Sequence, residues 1–359
     1  MTDSSRVGAS TSDRLAGVGR GSPQAWGDTT VVPLVKEDGH HGAGPSYVSL
    51  REALTGGWFR VTEVSTGGSV PELRVVNAGA ERVLILDGEE LVGAKQNRVL
   101  NTTILVDRKS ELVVPVSCTE AGRWHEVSAH FADSGVVAER SVRQTLRMTV
   151  QASVVAGFGH QSDQGAVWDE VDDLQRRHGA RSRTSAMRDV FASREEALER
   201  SLAALPLVEG QVGLVVLRNG DAVGIDYISR PAAYAQVHDK LLRSYLLDAS
   251  PKARCASPPD LAERFLAVVC ALPGRPFASP GLGTDVRYAD AGLVGSALVF
   301  RGRTVHAAFF VVDGWSGRQG WERASRQASQ SGNVRPPQAE GGGRMSGRRT
   351  RAQYRHFSA

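Results

Sequence analysis

Cysteine is scarce in this 359-residue chain: Cys118, Cys255 and Cys270 are the only three, odd in number and far apart. That count excludes a disulfide scaffold, and the spacing offers neither a metal knuckle nor a redox pair. No stretch approaches the roughly 18 uninterrupted apolar residues of a membrane span. The first residues lack the basic start and apolar run of a secretory signal. These absences predict a cytoplasmic protein with reduced thiols and no membrane partner. Several signatures of chemistry are missing as well. There is no Gly-Lys-Ser or Gly-Lys-Thr phosphate loop, no dinucleotide fingerprint, no His-Glu-x-x-His zinc pair and no Gly-x-Ser-x-Gly elbow. Of nine scattered His, the candidates for a metal site assembled by folding are His125, His130 and His160. Each reads first as structural or solvent-facing, so no metal site is predicted and no cofactor is assigned.

What is present is ordinary globular composition, 41% hydrophobic and 23% charged, enough for one large core or two small ones. The formal charge of +4 is unevenly spread. Trp315 to Ala359 hold nine Arg against two acidic residues, which leaves the rest of the chain at −3. Such an Arg, Gly and Ser-rich tail reads as a solvated, disordered extension over 314–359, which could touch nucleic acid or an acidic partner through counterion release. A Gly and Ser-rich leader over 1–45 reads as mobile too, so ordered structure is expected from near Tyr47 to Asp313 as a single domain.

Within that body, short apolar runs bounded by Gly, Asp, Asn and Ser predict strands at Phe59 to Val64, Leu73 to Asn77, Val83 to Leu86, Val99 to Val106 and Leu112 to Val116. The unbroken run Val83-Leu84-Ile85-Leu86 implies a strand covered on both faces. After Gly135 helical spacing takes over. Asp163 caps a helix carrying Val167, Val171 and Leu174 and stopped by Gly179, and a second helix after Thr184 buries Met187, Val190, Phe191, Leu198, Leu202 and Leu205. Asn219-Gly220 marks a tight hairpin between Gln211 to Leu217 and Ala222 to Ile228. Helices follow Pro231 and Ser257-Pro258, and a last strand pair turns at Arg301-Gly302. This order predicts an α+β fold, an antiparallel β-rich N-terminal half packed with helices and a hairpin from the C-terminal half.

Three polar clusters interrupt the strands. Asp87-Gly88-Glu89-Glu90 reads either as a solvated acidic turn, with Gly88 at positive φ, or as a ligand site using Glu89 or Glu90. Gln96-Asn97-Arg98, followed by Asn101-Thr102-Thr103, offers amides and a guanidinium suited to hold a sugar, a base edge or a phosphate. Cys118 to Glu126 gathers a thiol, two carboxylates, Arg123, Trp124 and His125 just after an apolar strand. There Glu120 is a candidate general base or metal ligand, Arg123 a phosphate binder and Trp124 a stacking surface. Cys118 reads as a small buried residue, since a spacing of seven to His125 does not make the pair meet.

Taken together, Val83 to Glu90, Gly93-Ala94-Lys95-Gln96-Asn97-Arg98, Asn101-Thr102 and Pro115 to Trp124 resemble the ARPP-1 domain family, the "ARG and Rhodanese-Phosphatase-superfamily-associated protein" domain, over about Tyr47 to Asp313. The resemblance implies a role near ADP-ribosylglycohydrolase and phosphatase-like proteins, hence near ADP-ribose, NAD or nucleotide metabolism. It marks Glu89, Glu90, Gln96, Asn97, Arg98, Glu120, Arg123 and Trp124 as the positions of interest. Three functions remain open: a binding module for a nucleotide-like or ADP-ribose-like ligand; a hydrolase of a phosphorylated or ADP-ribosylated substrate using Glu89, Glu90 or Glu120; and a structural or partner-binding protein.

Overall fold

The computed structural model describes residues 15, 17–36, 44–65, 67–252, 257–258, 260–290 and 292–312; the Arg-rich tail and Cys255 lie outside the described residues. The chain opens with β1 (Val18–Arg20), β2 (Gln24–Trp26) and β3 (Thr29–Lys36), then β4 (Val48–Ser49), α1 (Leu50–Thr55), β5 (Phe59–Glu63) and β6 (Glu72–Asn77). The predicted clusters sit on β7 (Val83–Ile85), β8 (Glu89–Gly93), β9 (Arg98–Leu100), β10 (Ile104–Val106) and β11 (Ser110–Cys118), and β12 (Phe131–Val137) follows. Four helices come next, α2 (Arg140–Val155), α3 (Gln164–His178), α4 (Arg188–Ser193) and α5 (Glu195–Ala203). The chain then runs through β13 (Gln211–Arg218), β14 (Asp221–Ile228), α6 (Pro231–Leu246), α7 (Leu261–Ala271), β15 (Arg275–Ala278), β16 (Thr284–Asp290), β17 (Leu293–Phe300) and β18 (Arg303–Val311).

The fold is α+β, as the sequence predicts, with three sheets. A nine-stranded antiparallel sheet runs β1-β3-β13-β14-β18-β17-β16-β15, with β2 also on β3. A six-stranded sheet runs β12-β8-β9-β11-β6-β5, and a small one runs β10-β7-β4. In β13 Leu214 and Val216 pack on the side of α2 and α6, while Val215 and Leu217 meet Leu261 and Phe265 of α7. Both faces are covered, which is why this strand reads as a continuous apolar run. The third core fills the six- and three-stranded sheets with Leu50 and Ala53 of α1, Phe59, Val75, Ile85 and Val116.

Local signals behave as their chemistry dictates. Asp163 accepts from Ala166 N at 3.1 Å and Gly179 closes α3 in the left-handed region. Asn219 and Gly220 both take positive φ, the conformation a two-residue hairpin turn demands. Pro231 stands in the first turn of α6.

Four expectations are corrected. Order does not begin near Tyr47: β3, from the supposed leader, pairs along β13 and carries the buried Val31, Val32 and Leu34. The run Val99 to Val106 is not one strand, because Asn101, Thr102 and Thr103 turn inward to bond with Ser117, Arg287 and Asp87, and the chain passes from one sheet to another. The helix after Thr184 is two, α4 and α5, broken at Arg194. The helix α2, unanticipated between Gly135 and Asp163, buries Arg143, Gln144 and Arg147 among Val142, Leu146 and Val150. Charged side chains on its inner face mask the apolar stripe by which a helix is recognised.

Candidate active cleft along strand 12

The acidic turn is not solvated: Asp87, Glu89 and Glu90 are 6%, 1% and 0% exposed. Gly88 takes φ +78°, as expected, and a Cβ there would meet Arg143 Cγ at 2.9 Å. The three carboxylates part company at this turn. Asp87 joins a buried network in which Arg147 donates to it, Thr103 Oγ1 donates at 3.0 Å, and His306 Nδ1 lies 2.8 Å from that hydroxyl. Beside them Arg143 grips Asp226 with two bonds of 2.6 and 3.0 Å, and Tyr245 donates to the same carboxylate at 2.7 Å. Burial alone would raise Asp226, but the Arg143 guanidinium holds it down at about 2. The ring of Phe310 lies under both guanidiniums, at 4.8 and 4.9 Å.

Because side chains alternate along a strand, β8 sends Glu89 and Glu90 to opposite faces. Glu89 accepts from Lys240 Nζ at 2.9 Å and from its own turn at Leu86 N at 2.8 Å. Glu90 accepts from Thr119 Oγ1 at 2.8 Å and is otherwise sealed from solvent, with the Ser134 hydroxyl beside it. Burial therefore pushes the Glu90 carboxyl up to about 7, against the lowering influence of Thr119, Ser134 and Arg188.

The second and third clusters meet in space. Glu120 accepts from Arg123 Nε at 2.9 Å, Thr184 Oγ1 at 2.7 Å and Asn97 N at 3.2 Å. Arg123 also donates to Asn97 Oδ1 at 3.0 Å and to the carbonyl of Ala94 at 2.8 Å. Burial works to raise Glu120, but the hydrogen bonds from Arg123 and Thr184 outweigh it and leave the carboxyl below its ordinary value. This knot ties the 118–126 loop to the segment before α4, through Gly122 N to Thr184 O and Met187 N to Thr119 O. Arg98, fully buried, donates Nη1 to Gln96 Oε1 at 3.0 Å and lies 5.6 Å from the half-exposed Trp124 ring. Cys118 is buried, and burial raises its thiol to about 11. Glu120, Arg123 and Asn97 thus use their polar atoms on one another, and only Trp124 of the proposed contact residues presents a large surface outward.

The open concavity lies elsewhere, along β12. Between Asp133 and Val137 the register with β8 slips, and Gly135 at φ +84° makes a bulge. Bulges re-aim side chains and recur beside functional sites. Here Asp133 Oδ1 accepts from Lys240 at 2.7 Å and from Gly135 N at 3.0 Å, and Asp133 Oδ2 accepts from Arg51 Nε at 2.9 Å. The bulge borders a cleft of about 390 Å³ whose charged walls are Arg51, Arg188, Lys240 and Arg243 against Glu195 and Asp239, with Ser134 and Gly135 between. Arg243 is held by Glu195 at 2.8 and 2.9 Å and by Glu199. Arg51 spends only its Nε, and its Nη2 sits 3.6 Å from where a Gly135 side chain would begin. Arg188 is exposed and has no hydrogen-bond or ion-pair partner among the described residues. Glu89 and Glu90 stand behind this cleft, one through Lys240 and the other next to Ser134.

The cleft residues themselves escape sequence reasoning. Arg188 and Arg243 look like solvated helix faces, and Asp133-Ser134-Gly135 looks like a turn rather than a bulged strand. Among the described residues, no group of three or more His, Cys, Asp or Glu is placed to hold a metal ion, and no helix is long and apolar enough to cross a membrane.

No curated protein and no solved structure matches the chain. One family model does, that of the ARG and Rhodanese-Phosphatase-superfamily-associated Protein domain, over residues 17–310. That match takes in β1 to β3, which the nine-stranded sheet also claims, and it spans all three sheets and the cleft: the chain belongs to the ARPP-1 domain family.

Proposed function

We propose that this chain is a recognition module for a phosphorylated, nucleotide-like or ADP-ribose-like small molecule, held in the cleft along the β12 bulge. The observation that carries the reading is a pair of guanidinium groups with open donors, the exposed Arg188 and the outer half of Arg51, on the wall of one 390 Å³ cleft. Planar guanidinium forks match the oxygens of a phosphate and bind them in pairs. The volume falls within the roughly 300 to 1,000 Å³ of small-molecule sites. The association with ARG and rhodanese-phosphatase superfamily proteins from which the family takes its name supports a ligand from ADP-ribose, NAD or nucleotide metabolism. The free thiols Cys118 and Cys270 accord with a cytoplasmic setting.

Recognition is favoured over hydrolysis because the three carboxylates that the sequence nominates for catalysis, Glu89, Glu90 and Glu120, are buried and do not open into the cleft. Glu120 is bound by three donors, Glu89 by two, and Glu90 is sealed behind the cleft wall. A thermal-shift screen against pyrophosphate, ADP, NAD and ADP-ribose tests the reading. A ligand at about a hundred times its Kd stabilises by roughly 2.7 kcal/mol. The shift should vanish in Arg188→Glu and weaken as salt rises. Stabilisation by none of these ligands, or an equal shift in Arg188→Glu, refutes the proposal.

A further inference from the structure

A second cleft, of about 530 Å³, lies on the other side of Arg51 and opens where the six-stranded sheet curls its edge strands β5 and β12 toward each other. Residues 130–133 of the β12 segment line it, whereas residues 134–136 line the first cleft, and Arg51 lines both. The wall between the two is an ion-pair chain. Arg51 and Lys240 each donate to Asp133, and Lys240 continues to Glu89. The clefts differ in chemistry. The first holds four cationic groups and little apolar surface. The second is lined by the partly exposed Leu54 over the core side chains Phe59 and Phe131, with Arg60 and His130 exposed at its rim. Neither of these two side chains has a hydrogen-bond or ion-pair partner among the described residues.

From this juxtaposition we infer that the ligand is elongated and two-part: its phosphate groups lie in the Arg188 cleft, and a planar ring lies in the seam between β5 and β12, the chain crossing over Arg51. The inference rests on the phosphate-recognition reading above and adds the second subsite to it. Apolar walls favour burying a ring face, and a guanidinium such as Arg60 stacks on a planar ring. Arg51, half-exposed and tied to Asp133 by a single bond, sits where it can reach a phosphate from either side. A nucleoside diphosphate has this division of charge and ring; inorganic pyrophosphate has the charge alone.

Calorimetric titration of the full chain with pyrophosphate and with ADP separates the two subsites. The wild type should bind ADP at least tenfold more tightly than pyrophosphate. Thr55→Trp, which fills the mouth of the seam from an exposed position, should bring ADP to the pyrophosphate affinity and leave pyrophosphate unchanged. Arg60→Glu, also at an exposed position, should weaken ADP in the same selective way. Equal affinities for ADP and pyrophosphate overturn the second subsite while leaving phosphate recognition standing, as does full ADP affinity in both variants. Binding of neither ligand overturns the two-part site, and absence of any shift with NAD and ADP-ribose as well removes phosphate recognition with it.

Discussion

Replacing Glu90 by Gln should stabilise this protein, and more so at high pH. Glu90 is 0% exposed, and burial moves its carboxyl from 4.5 to about 7. A carboxyl raised in the folded state binds its proton more tightly there than in the unfolded chain. Between about pH 4.5 and 7 the folded protein therefore holds more protons, and stability falls as pH rises through that window. Above it the full cost is present, about 3 kcal/mol for a carboxyl moved from 4.5 to about 7. Glutamine keeps the acceptor that Thr119 uses, at 2.8 Å in the wild type, and carries no charge to desolvate. Any misfit of the new amide is the same at every pH and cancels in the comparison. Urea unfolding at pH 5 and pH 8, with unchanged m-value, should show the variant gaining about 2.5 kcal/mol more at pH 8 than at pH 5, where part of the cost is already present. An equal effect at the two pH values would refute the reasoning, for it would mean that Glu90 does not titrate in this window.

Two further substitutions test the partition between framework and cleft. Arg143→Met takes from the buried Asp226 its bidentate partner, leaving the hydrogen bond from Tyr245 and the nearby His306 and Arg147, and unfolding midpoints should show a loss of about 3 to 5 kcal/mol, the usual cost of breaking a buried pair; a loss under about 1 kcal/mol would contradict the assigned network. Arg123→Ala should cost several kcal/mol, since it strips Glu120, Asn97 and the Ala94 carbonyl of a shared donor, while any nucleotide or phosphate affinity measured below the melting transition stays at the wild-type value. A selective loss of affinity with unchanged melting would return the site to the 118–126 loop.

The parts of the fold written locally were legible in the sequence: the Asn219-Gly220 hairpin, the Asp163 and Gly179 caps and the alternation of apolar runs with turn residues. What escaped depended on partners far away in the chain. Thr29 to Lys36 follows a Gly and Ser-rich leader and shows its strand character only beside Gln211 to Arg218. Arg143 and Arg147 look like exposed positions until Asp87 and Asp226 approach them. The polar density from Asp87 to Glu126 pointed to a real convergence, yet the amides, guanidiniums and carboxylates gathered there are mostly bonded to one another. Composition distinguishes a polar cluster from an apolar one; it does not distinguish a satisfied cluster from a vacant one. The cleft-lining cations Arg51, Arg188 and Arg60 stand on α1, α4 and β5, more than a hundred residues apart at the extremes, and no local pattern joins Arg51 to Arg188.

The most direct measurement is a crystal structure of the full chain grown with a nucleoside diphosphate. Density for the phosphates is expected between Arg51 and Arg188, with the ring in the seam beside Leu54 and Arg60. Ordered ligand stacked on Trp124 instead, with the β12 clefts holding only solvent, would contradict it.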